Sequence, residues 1–306
     1  MQTISFSNYS FKKLEKMTLD KSITNTEGKL FIIPEKLKWN TLPKALKIFY
    51  NTEGEIFSNK LFTINSLINK KEDINIDELV FPEKLAIVGS QICGYAMPFI
   101  KNINLGLLLN NPNIPVNEKI DYLKQIGQIL EKMKIVRNKT KINDFFLGDI
   151  YENNFILNLA TNRINAVDID SCKINDNKPS YSKYLSTLYK LLNNLPKKYI
   201  KAENWPTEDV SLIIPNENSD LFCYNIIILN YLLQGQISRL SLEEFYVYLN
   251  YLRQIGLPYR LVDKFDNLYQ YKDNENPMEE LDYITSTVLE KSGYDVFYHK
   301  VLDKNL

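Results

Sequence analysis

Two acids and an amide stand at spacings that suit phosphoryl transfer. Asp149 and Asn154 lie five residues apart, and Asp168 follows fourteen residues after Asn154. This chemistry needs a carboxylate to receive the proton of an attacking hydroxyl. It also needs a second carboxylate, with an amide oxygen, to hold Mg²⁺ against the phosphates. The three residues together therefore indicate a phosphoryl-transfer site.

A short hairpin is predicted between Asn154 and Asp168. Two apolar runs, residues 155–157 and 164–167, are separated by the turn-like residues 160–163, a pattern typical of two antiparallel strands. A loop, this hairpin and a second loop would bring the acid, the amide and the second acid to one edge.

This region resembles the catalytic segment of the protein-kinase-like fold. The kinase catalytic loop reads H-R-D-x-x-x-x-N, and the aminoglycoside-phosphotransferase branch has H-G-D in its place. Leu147, Gly148 and Asp149, with Asn154, keep the glycine, the aspartate and the asparagine but have leucine for the histidine. The metal-binding D-F-G resembles residues 168–170, which read Asp-Ile-Asp and continue into a serine, as in some bacterial kinase-like proteins.

A strand pair near the N-terminus supplies a candidate phosphate-binding lysine. Residues 24–33 predict a turn entering a strand, and residues 45–50 predict a second strand. In the resemblance, Lys47 corresponds to the lysine of V-A-I-K, and Gly28 lies in the turn that covers the phosphates. A polar position on an alternating strand also explains Lys47, and a plain surface turn also explains Gly28.

Residues 91–100 predict a strand that leads into the hinge of a kinase-like fold. The resemblance puts Met97 at the back of the nucleotide pocket and the backbone of Pro98, Phe99 and Ile100 at the adenine edge. Pro98 has no amide hydrogen and would stiffen the passage between lobes. On its own, the pattern is also that of a buried strand ending at a proline.

Two long helices are predicted before the Asp149 loop. The first spans residues 55–70, with Ser58 as its candidate cap, and the second spans residues 118–137 and is capped by Asn117. In a kinase, the first of these helices contributes a glutamate that pairs with the strand lysine. No glutamate occurs in residues 56–71, so the partner of Lys47 cannot be assigned.

A third helix resembles the kinase helix that begins S-D-x-[WY]-S and ends in L-L-x-G, and it spans residues 218–235. Its Asp220 would accept hydrogen bonds from the catalytic-loop backbone, although a simple helix cap explains it equally well. The stretch before it, residues 175–217, would form the substrate-positioning region, with Ser180, Tyr181 and Ser182 as conceivable phosphoacceptors.

The composition excludes several classes of partner. The 306 residues contain 37 Lys plus Arg and 37 Asp plus Glu, so the formal net charge is zero and no nucleic-acid partner is expected. Three cysteines without C-x-x-C spacing and a single histidine make a poor zinc site. No signal-peptide pattern and no apolar run of about eighteen residues occurs, so we expect no membrane partner. These features are typical of a reduced, cytoplasmic protein.

The resemblance implies an α+β, bilobal protein-kinase-like fold. Residues 1–98 would form a small β-rich lobe, and residues 99–306 a mostly helical lobe that carries the catalytic and metal-binding loops. Asp170 would add a metal contact or cap the next segment, and we favour the cap.

The implied function is an ATP- and Mg²⁺-dependent phosphotransferase acting on an unknown protein or small molecule. Lys47 would hold the α and β phosphates, Asp168 and Asn154 would hold Mg²⁺, and Asp149 would orient the acceptor hydroxyl. Two alternatives stay open. The single glycine of the turn, Leu147 and the missing helix glutamate favour a pseudokinase, whereas the Gly-Asp pair at residues 148–149 favours a small-molecule kinase.

Overall fold

The computed structural model describes residues 2–18, 23–24, 27–33, 44–140, 142, 144–175, 177, 214–266, 268 and 274–303. Within these residues the chain is α+β, with a β-rich N-terminal part and a mostly helical C-terminal part. This confirms the predicted class. The features predicted within residues 178–213, including the phosphoacceptors Ser180, Tyr181 and Ser182, lie outside the described residues.

A six-stranded sheet forms the N-terminal part. Its strands are β1 (Thr3–Phe6), β2 (Ile23–Thr24), β3 (Gly28–Ile33), β4 (Lys44–Phe49), β5 (Lys84–Val88) and β6 (Gln91–Pro98). They lie in the order β1-β5-β6-β4-β3-β2, with β1 and β5 parallel and the other neighbours antiparallel. Strand β6 ends at Pro98, the last residue of the predicted small lobe.

Most of these strands agree with the sequence pattern, and two differ. The strands predicted at residues 24–33, 45–50 and 91–100 are confirmed as β3, β4 and β6. The polar, mixed sequence of residues 1–20 predicts an irregular lead-in or a short helix, so strand β1 is not predicted. The apolar residues 79–85 also predict a strand. Its bounds are wrong, because β5 begins at Lys84 and Leu79 makes an isolated bridge to Ala166.

Two helices pack near this sheet, α1 (Asn8–Thr18) and α2 (Gly54–Ile74). Since side chains alternate along a strand, Ala45 and Phe49 of β4 share one face and join a core with Phe57 and Ile64 of α2. The opposite face forms a second core with α1. The helix predicted at residues 55–70 is confirmed, but Glu53 precedes its first turn, so the predicted cap at Ser58 is wrong.

Two small sheets begin the C-terminal part. Strands β7 (Asn102–Asn104), β9 (Phe155–Asn158) and β10 (Arg163–Ala166) form an antiparallel sheet, and β8 (Phe145–Phe146) pairs with β11 (Lys173–Ile174). Strands β9 and β10 are the hairpin predicted between Asn154 and Asp168, which is thereby confirmed.

Helices make up the rest of the described C-terminal part: α3 (Leu105–Asn110), α4 (Val116–Lys139), α5 (Glu217–Leu233), α6 (Leu242–Gln254), α7 (Tyr259–Asp266), α8 (Ser286–Ser292) and α9 (Tyr294–Phe297). Helix α4 begins after Pro115, so the predicted cap at Asn117 is wrong. The Ser-x-x-Glu pattern at residues 241–244 predicts a capping box at the start of a helix. The structure confirms it at the start of α6.

Helix α5 runs through the centre of the helical part. Every side chain from Ser219 to Leu229 is buried, and an apolar helix that is covered on all sides must lie inside a core. The Tyr224 hydroxyl donates a hydrogen bond to the Leu123 carbonyl of α4 at 2.7 Å. In the described part of the chain, no helix is both long enough and apolar enough to cross a membrane.

Candidate functional site

Strand β4 carries Lys47 into the interior between the sheet and helix α2. The side chain is buried, with 3% exposed, and its register partner on β6 is Tyr95. Its ammonium donates hydrogen bonds to Asp168, and to Asp170 at 2.8 Å. A lysine of the N-terminal sheet therefore meets the two acids that follow the predicted hairpin.

The backbone at Asp168 has a left-handed conformation, with φ 60° and ψ 31°. This conformation is uncommon for a residue with a side chain and costs about 1 kcal/mol or more. Asp168 follows strand β10 and precedes the 3-10 helix Ile169–Ser171. The turn between strand and helix brings the carboxylates of Asp168 and Asp170 to the same ammonium group.

A second lysine, which the sequence pattern did not single out, completes this cluster. The Lys60 ammonium of α2 lies 2.9 Å from the Glu27 carboxylate, 3.0 Å from Ser171 Oγ and 3.4 Å from Asp170 Oδ1. It stands on the helix where a kinase-like fold would supply a glutamate. The signal for it was its place on the buried face of the helix, three residues after Phe57.

Asp170 pairs with both lysines, which corrects the expectation that it caps the next segment. Its side chain is fully buried. Burial raises the pKa of Asp170, but the charges of Lys47 and Lys60 outweigh burial and hold that pKa below its ordinary value. The phenol of Tyr95 beside it has a raised pKa, because of burial and the nearby Asp170 carboxylate. Asp170 is therefore an ionised anchor for two cations.

The charge of Asp170 also shifts the pKa values of Lys47, Lys60 and Asp168. Burial lowers the pKa of Lys47, but the Asp170 and Asp168 carboxylates outweigh it and the pKa lies well above its ordinary value. Burial and the Lys47 charge lower the pKa of Lys60, but the Asp170 and Glu27 carboxylates outweigh them and raise it above its ordinary value. Burial and the Asp170 charge raise the pKa of Asp168, while Lys47 opposes them. Both ammonium groups therefore remain charged.

Asp149 and Asn154 contact each other directly. Because the 3-10 helix Glu152–Asn154 turns the chain back, Asn154 Nδ2 donates to the Asp149 carbonyl at 2.8 Å and to its Oδ2 at 3.0 Å. Burial and the Asp168 charge raise the pKa of Asp149 to about 6, while the Asn154 hydrogen bond opposes the shift. This carboxylate is thus more basic than an exposed aspartate.

The loop before Asp149 is held by Asp220 of helix α5. The buried Asp220 carboxylate accepts hydrogen bonds from the backbone amides of Leu147 at 2.8 Å and Gly148 at 2.9 Å. Burial raises the pKa of Asp220 to about 7, and these two amides oppose the shift. The predicted contact with the loop is confirmed, whereas the helix cap is Asn216.

The residues predicted to surround a nucleotide base belong to one apolar cluster. Met97 is buried, and Phe99 and Ile100 pack at the edge of the same cluster, together with Leu30 and Val167. Val167 immediately precedes Asp168. The predicted hinge is thereby connected, through packed side chains, to the acid cluster.

Strand packing explains why residue 28 is a glycine. It is the first residue of β3 and pairs with Phe49, and a Cβ atom at this position would lie 2.4 Å from the Ile48 carbonyl oxygen. The close approach of β3 and β4 therefore requires glycine here. Glu27, the residue before it, points its carboxylate at Lys60.

Three of these acids could hold a cation. Carboxylate oxygens of Glu27, Asp168 and Asp170 all lie within 4.8 Å of one another, and Mg²⁺ prefers oxygen ligands of this kind. The backbone carbonyl of Asn154 accepts a hydrogen bond at 2.9 Å from the backbone amide of Val167. The hairpin therefore holds Asn154 beside Val167, the residue that precedes Asp168. The oxygen donors suit Mg²⁺, and in this structure all three carboxylates are paired with Lys47 or Lys60.

Comparison of the sequence with models of known protein families and with curated proteins found no match.

Proposed function

We propose that this chain is an ATP- and Mg²⁺-dependent phosphotransferase of the protein-kinase-like superfamily, which transfers the γ-phosphoryl group to a hydroxyl on a protein. The bilobal kinase-like fold, with lobes at residues 1–98 and 99–306, belongs to the same proposal. The observation that carries it is the ion pair of Lys47 with Asp168, since 121 residues separate the two in the chain. A nucleotide site of this class needs that ammonium and that carboxylate at one cleft.

The remaining side chains suit the other tasks of such a site. Asp168 and Asn154 would hold Mg²⁺, which neutralises phosphate charge when bound. Lys47 would bind the α and β phosphates. The base would pack against the apolar cluster of Met97, Phe99 and Ile100, and Gly28 would lie beside the phosphates.

Asp149 is suited to receive the proton of the acceptor hydroxyl. With a pKa of about 6, its carboxylate is ionised near neutral pH and is still more basic than an ordinary aspartate, which favours proton transfer. Asn154 orients this carboxylate through a hydrogen bond to Oδ2 and holds the backbone beneath it through a second hydrogen bond to the Asp149 carbonyl. Asp220 would have a structural role, since it binds the backbone of the loop before Asp149 and not the reacting groups.

A second candidate function, a pseudokinase, is favoured by Lys60. In the proposed fold its ammonium would stand where a kinase has the helix glutamate, and it pairs with Glu27 and Asp170. Lys47 is left to pair with Asp168 and Asp170. A protein of this kind would retain the fold, bind nucleotide or a partner protein, and transfer no phosphate. The three cysteines are free and buried, which supports a reducing, cytoplasmic location for either candidate.

A nucleotide titration separates these functions. The thermal midpoint of the wild type is measured with ATP, with and without Mg²⁺, and compared with that of Asp168→Asn, because asparagine also tolerates the left-handed conformation. Asp282→Ala, which changes an exposed acid on the surface, is the matched control. We expect Mg²⁺-dependent stabilisation in the wild type and the control, and its loss in Asp168→Asn.

Turnover is then measured with radiolabelled ATP on a protein acceptor and on small alcohols, for the wild type and for Asp149→Asn. Transfer that Asp149→Asn abolishes supports the phosphotransferase, and the labelled product shows whether the acceptor is a protein or a small molecule. Nucleotide binding without transfer supports the pseudokinase. Absence of nucleotide binding contradicts the phosphotransferase and leaves only a pseudokinase that acts by binding a partner protein.

A further inference from the structure

Two buried lysines face one oxygen atom of a more exposed carboxylate. Oε2 of Glu27 lies 2.9 Å from the Lys60 ammonium and 3.9 Å from the Lys47 ammonium. The Lys60 and Lys47 side chains are 8% and 3% exposed, whereas 40% of the Glu27 side chain is exposed. Of the five charged side chains in this cluster, Glu27 is therefore the one that solvent reaches most easily.

Only the side chain of Glu27 has to move for the two lysines to become accessible. Its backbone carbonyl accepts a hydrogen bond from the Tyr50 amide at 3.0 Å, and the next residue, Gly28, pairs with Phe49 across strands β3 and β4. The sheet therefore holds the backbone in place. Because a partly exposed ion pair is weak, a ligand with more negative charge than one carboxylate can displace the Glu27 side chain.

The Lys60 ammonium has other contacts that hold it in position when Glu27 leaves. It lies 3.0 Å from Ser171 Oγ and 3.4 Å from Asp170 Oδ1. It also lies 5.8 Å from the centre of the Phe49 ring, whose face attracts cations. An ammonium group has three N–H donors. With Ser171 and Asp170 as acceptors for two of them, the donor that Glu27 releases is available to a ligand.

The place of the Glu27 carboxylate suits a phosphate group of a nucleotide. One Glu27 oxygen lies within 4.8 Å of an Asp168 carboxylate oxygen, and Asp168 is the candidate ligand of a Mg²⁺ ion that would also bind phosphate oxygens. A phosphate oxygen accepts strong hydrogen bonds from ammonium groups, as a carboxylate oxygen does. A phosphate bound here would therefore face Lys47, Lys60 and the metal-binding acid.

We propose that Lys60 is a second phosphate-binding lysine of the nucleotide site, and that the Glu27 carboxylate occupies the position of a phosphate until the nucleotide displaces it. This inference rests on the proposed function and adds a binding residue to the same site. In the kinase-like family, the corresponding helix supplies a glutamate that pairs with the strand lysine. Here helix α2 would instead contact the nucleotide, and Glu27 would compete with the nucleotide for Lys60.

Isothermal titration calorimetry on the full chain, with Mg²⁺ present, tests this with three probes: ATP, tripolyphosphate and adenosine. We expect Glu27→Gln to bind ATP and tripolyphosphate about twofold to fivefold more tightly than the wild type, because no ion pair has to be broken. Lys60→Met should bind both about tenfold more weakly, since it loses a hydrogen bond to a charged group. Adenosine has no phosphate and should bind equally to all three proteins.

Two matched controls change the same types of residue elsewhere. Glu53→Gln replaces an exposed acid just before helix α2, and Lys70→Met removes a lysine of α2 whose ammonium binds Asn175. Neither should change the affinity for ATP. Glu27→Gln changes a partly exposed side chain and should fold normally, so it tests the proposal even if Lys60→Met does not fold.

Three results would overturn the inference. If the wild type binds ATP and neither Glu27→Gln nor Lys60→Met changes the affinity, Lys60 is not a phosphate ligand and the proposed function still stands. Weaker binding of ATP by Glu27→Gln would show that Glu27 helps to bind the nucleotide, as a metal ligand would, and does not compete with it. Absence of ATP binding in both the wild type and Glu27→Gln removes the nucleotide site itself, and with it the phosphotransferase.

Discussion

The Nζ atom of Lys47 lies 2.8 Å from Oδ2 of Asp170, although 123 residues separate them in the chain. The same carboxylate is reached from the other side by Lys60 of helix α2. Asp170 thus balances two buried ammonium groups, one from the sheet and one from the helix. This contact fixes the acid cluster against both elements of the N-terminal part.

Asp170 should contribute more to the stability of the fold than Lys60 does. Asp170→Asn leaves two buried lysines without their shared counter-charge, so we expect a loss of about 3 to 5 kcal/mol in the free energy of unfolding. Lys60→Met leaves Asp170 paired with Lys47, so the expected loss is about 1 to 2 kcal/mol. Urea unfolding of the variants measures both. A larger loss in Lys60→Met than in Asp170→Asn would contradict this assignment.

Asp149 should make stability depend on pH. Its pKa in the folded protein, about 6, lies above the ordinary value of 3.8, so folding favours the protonated carboxyl. That contribution is fully present below pH 3.8 and is lost as the pH rises through about 6. Asp149→Asn stays neutral and should therefore be more stable than the wild type at pH 7 to 8, by about 3 kcal/mol.

The Asp149→Asn difference is measured by urea unfolding across this pH range, and it should disappear below about pH 4. Asp121→Asn, which changes an exposed acid on α4, is the control. An Asp149→Asn protein that is less stable than the wild type at pH 8 would show that the ionised carboxylate is favoured by the fold, against the expectation.

The support that Asp220 gives the loop before Asp149 can be measured separately from its effect on helix α5. Asp220→Ala leaves the buried amides of Leu147 and Gly148 without an acceptor, so we expect a loss of about 2 to 4 kcal/mol. Amide hydrogen exchange should show that both amides lose protection. Asn216→Ala, which removes the helix cap, should cost about 1 kcal/mol and leave both amides protected. Equal exchange in the two variants would argue against the contact.

Strand β6 must have glycine opposite the strand that carries Lys47. A Cβ atom at Gly94 would lie 1.9 Å from the Lys47 carbonyl oxygen, closer than any side chain can approach. Gly94→Ala should therefore separate β4 from β6 and cost at least about 3 kcal/mol. Gly235→Ala, whose nearest neighbour would be 3.8 Å away, should change stability by less than about 1 kcal/mol. Thermal unfolding compares the two, and similar midpoints would refute the packing argument.

Local sequence patterns predicted the elements that depend on neighbouring residues. In strand β4 and in the β9 and β10 hairpin, apolar residues recur within a few positions. The two residues of the capping box, Ser241 and Glu244, are three positions apart. The fold class and the roles around Asp149 came instead from the resemblance of the motifs to a known family. Strand β1 could not be predicted from local patterns, because its four residues are explained only by their pairing with β5, eighty-two residues further on.

The site was predictable as separate motifs, and the arrangement of charge within it was not. Motif spacing led to Asp149, Asn154 and Asp168, but the partner of Lys47 was sought as a glutamate on α2. The buried lysine at that place reverses the sign of the expected charge, and the second acid of the Asp-Ile-Asp run compensates for it. A lysine on the apolar face of a helix indicates a buried acid elsewhere, but the sequence does not say which one.

The cluster of Glu27, Asp168 and Asp170 with Lys47 and Lys60 contains three acids and two bases. When all five are ionised, an approaching triphosphate meets a surplus of like charge, which disfavours its entry alone. A dication reverses the surplus. For the nucleotide site that we propose, binding should therefore be ordered, with the metal ion arriving before the nucleotide or already chelated by it.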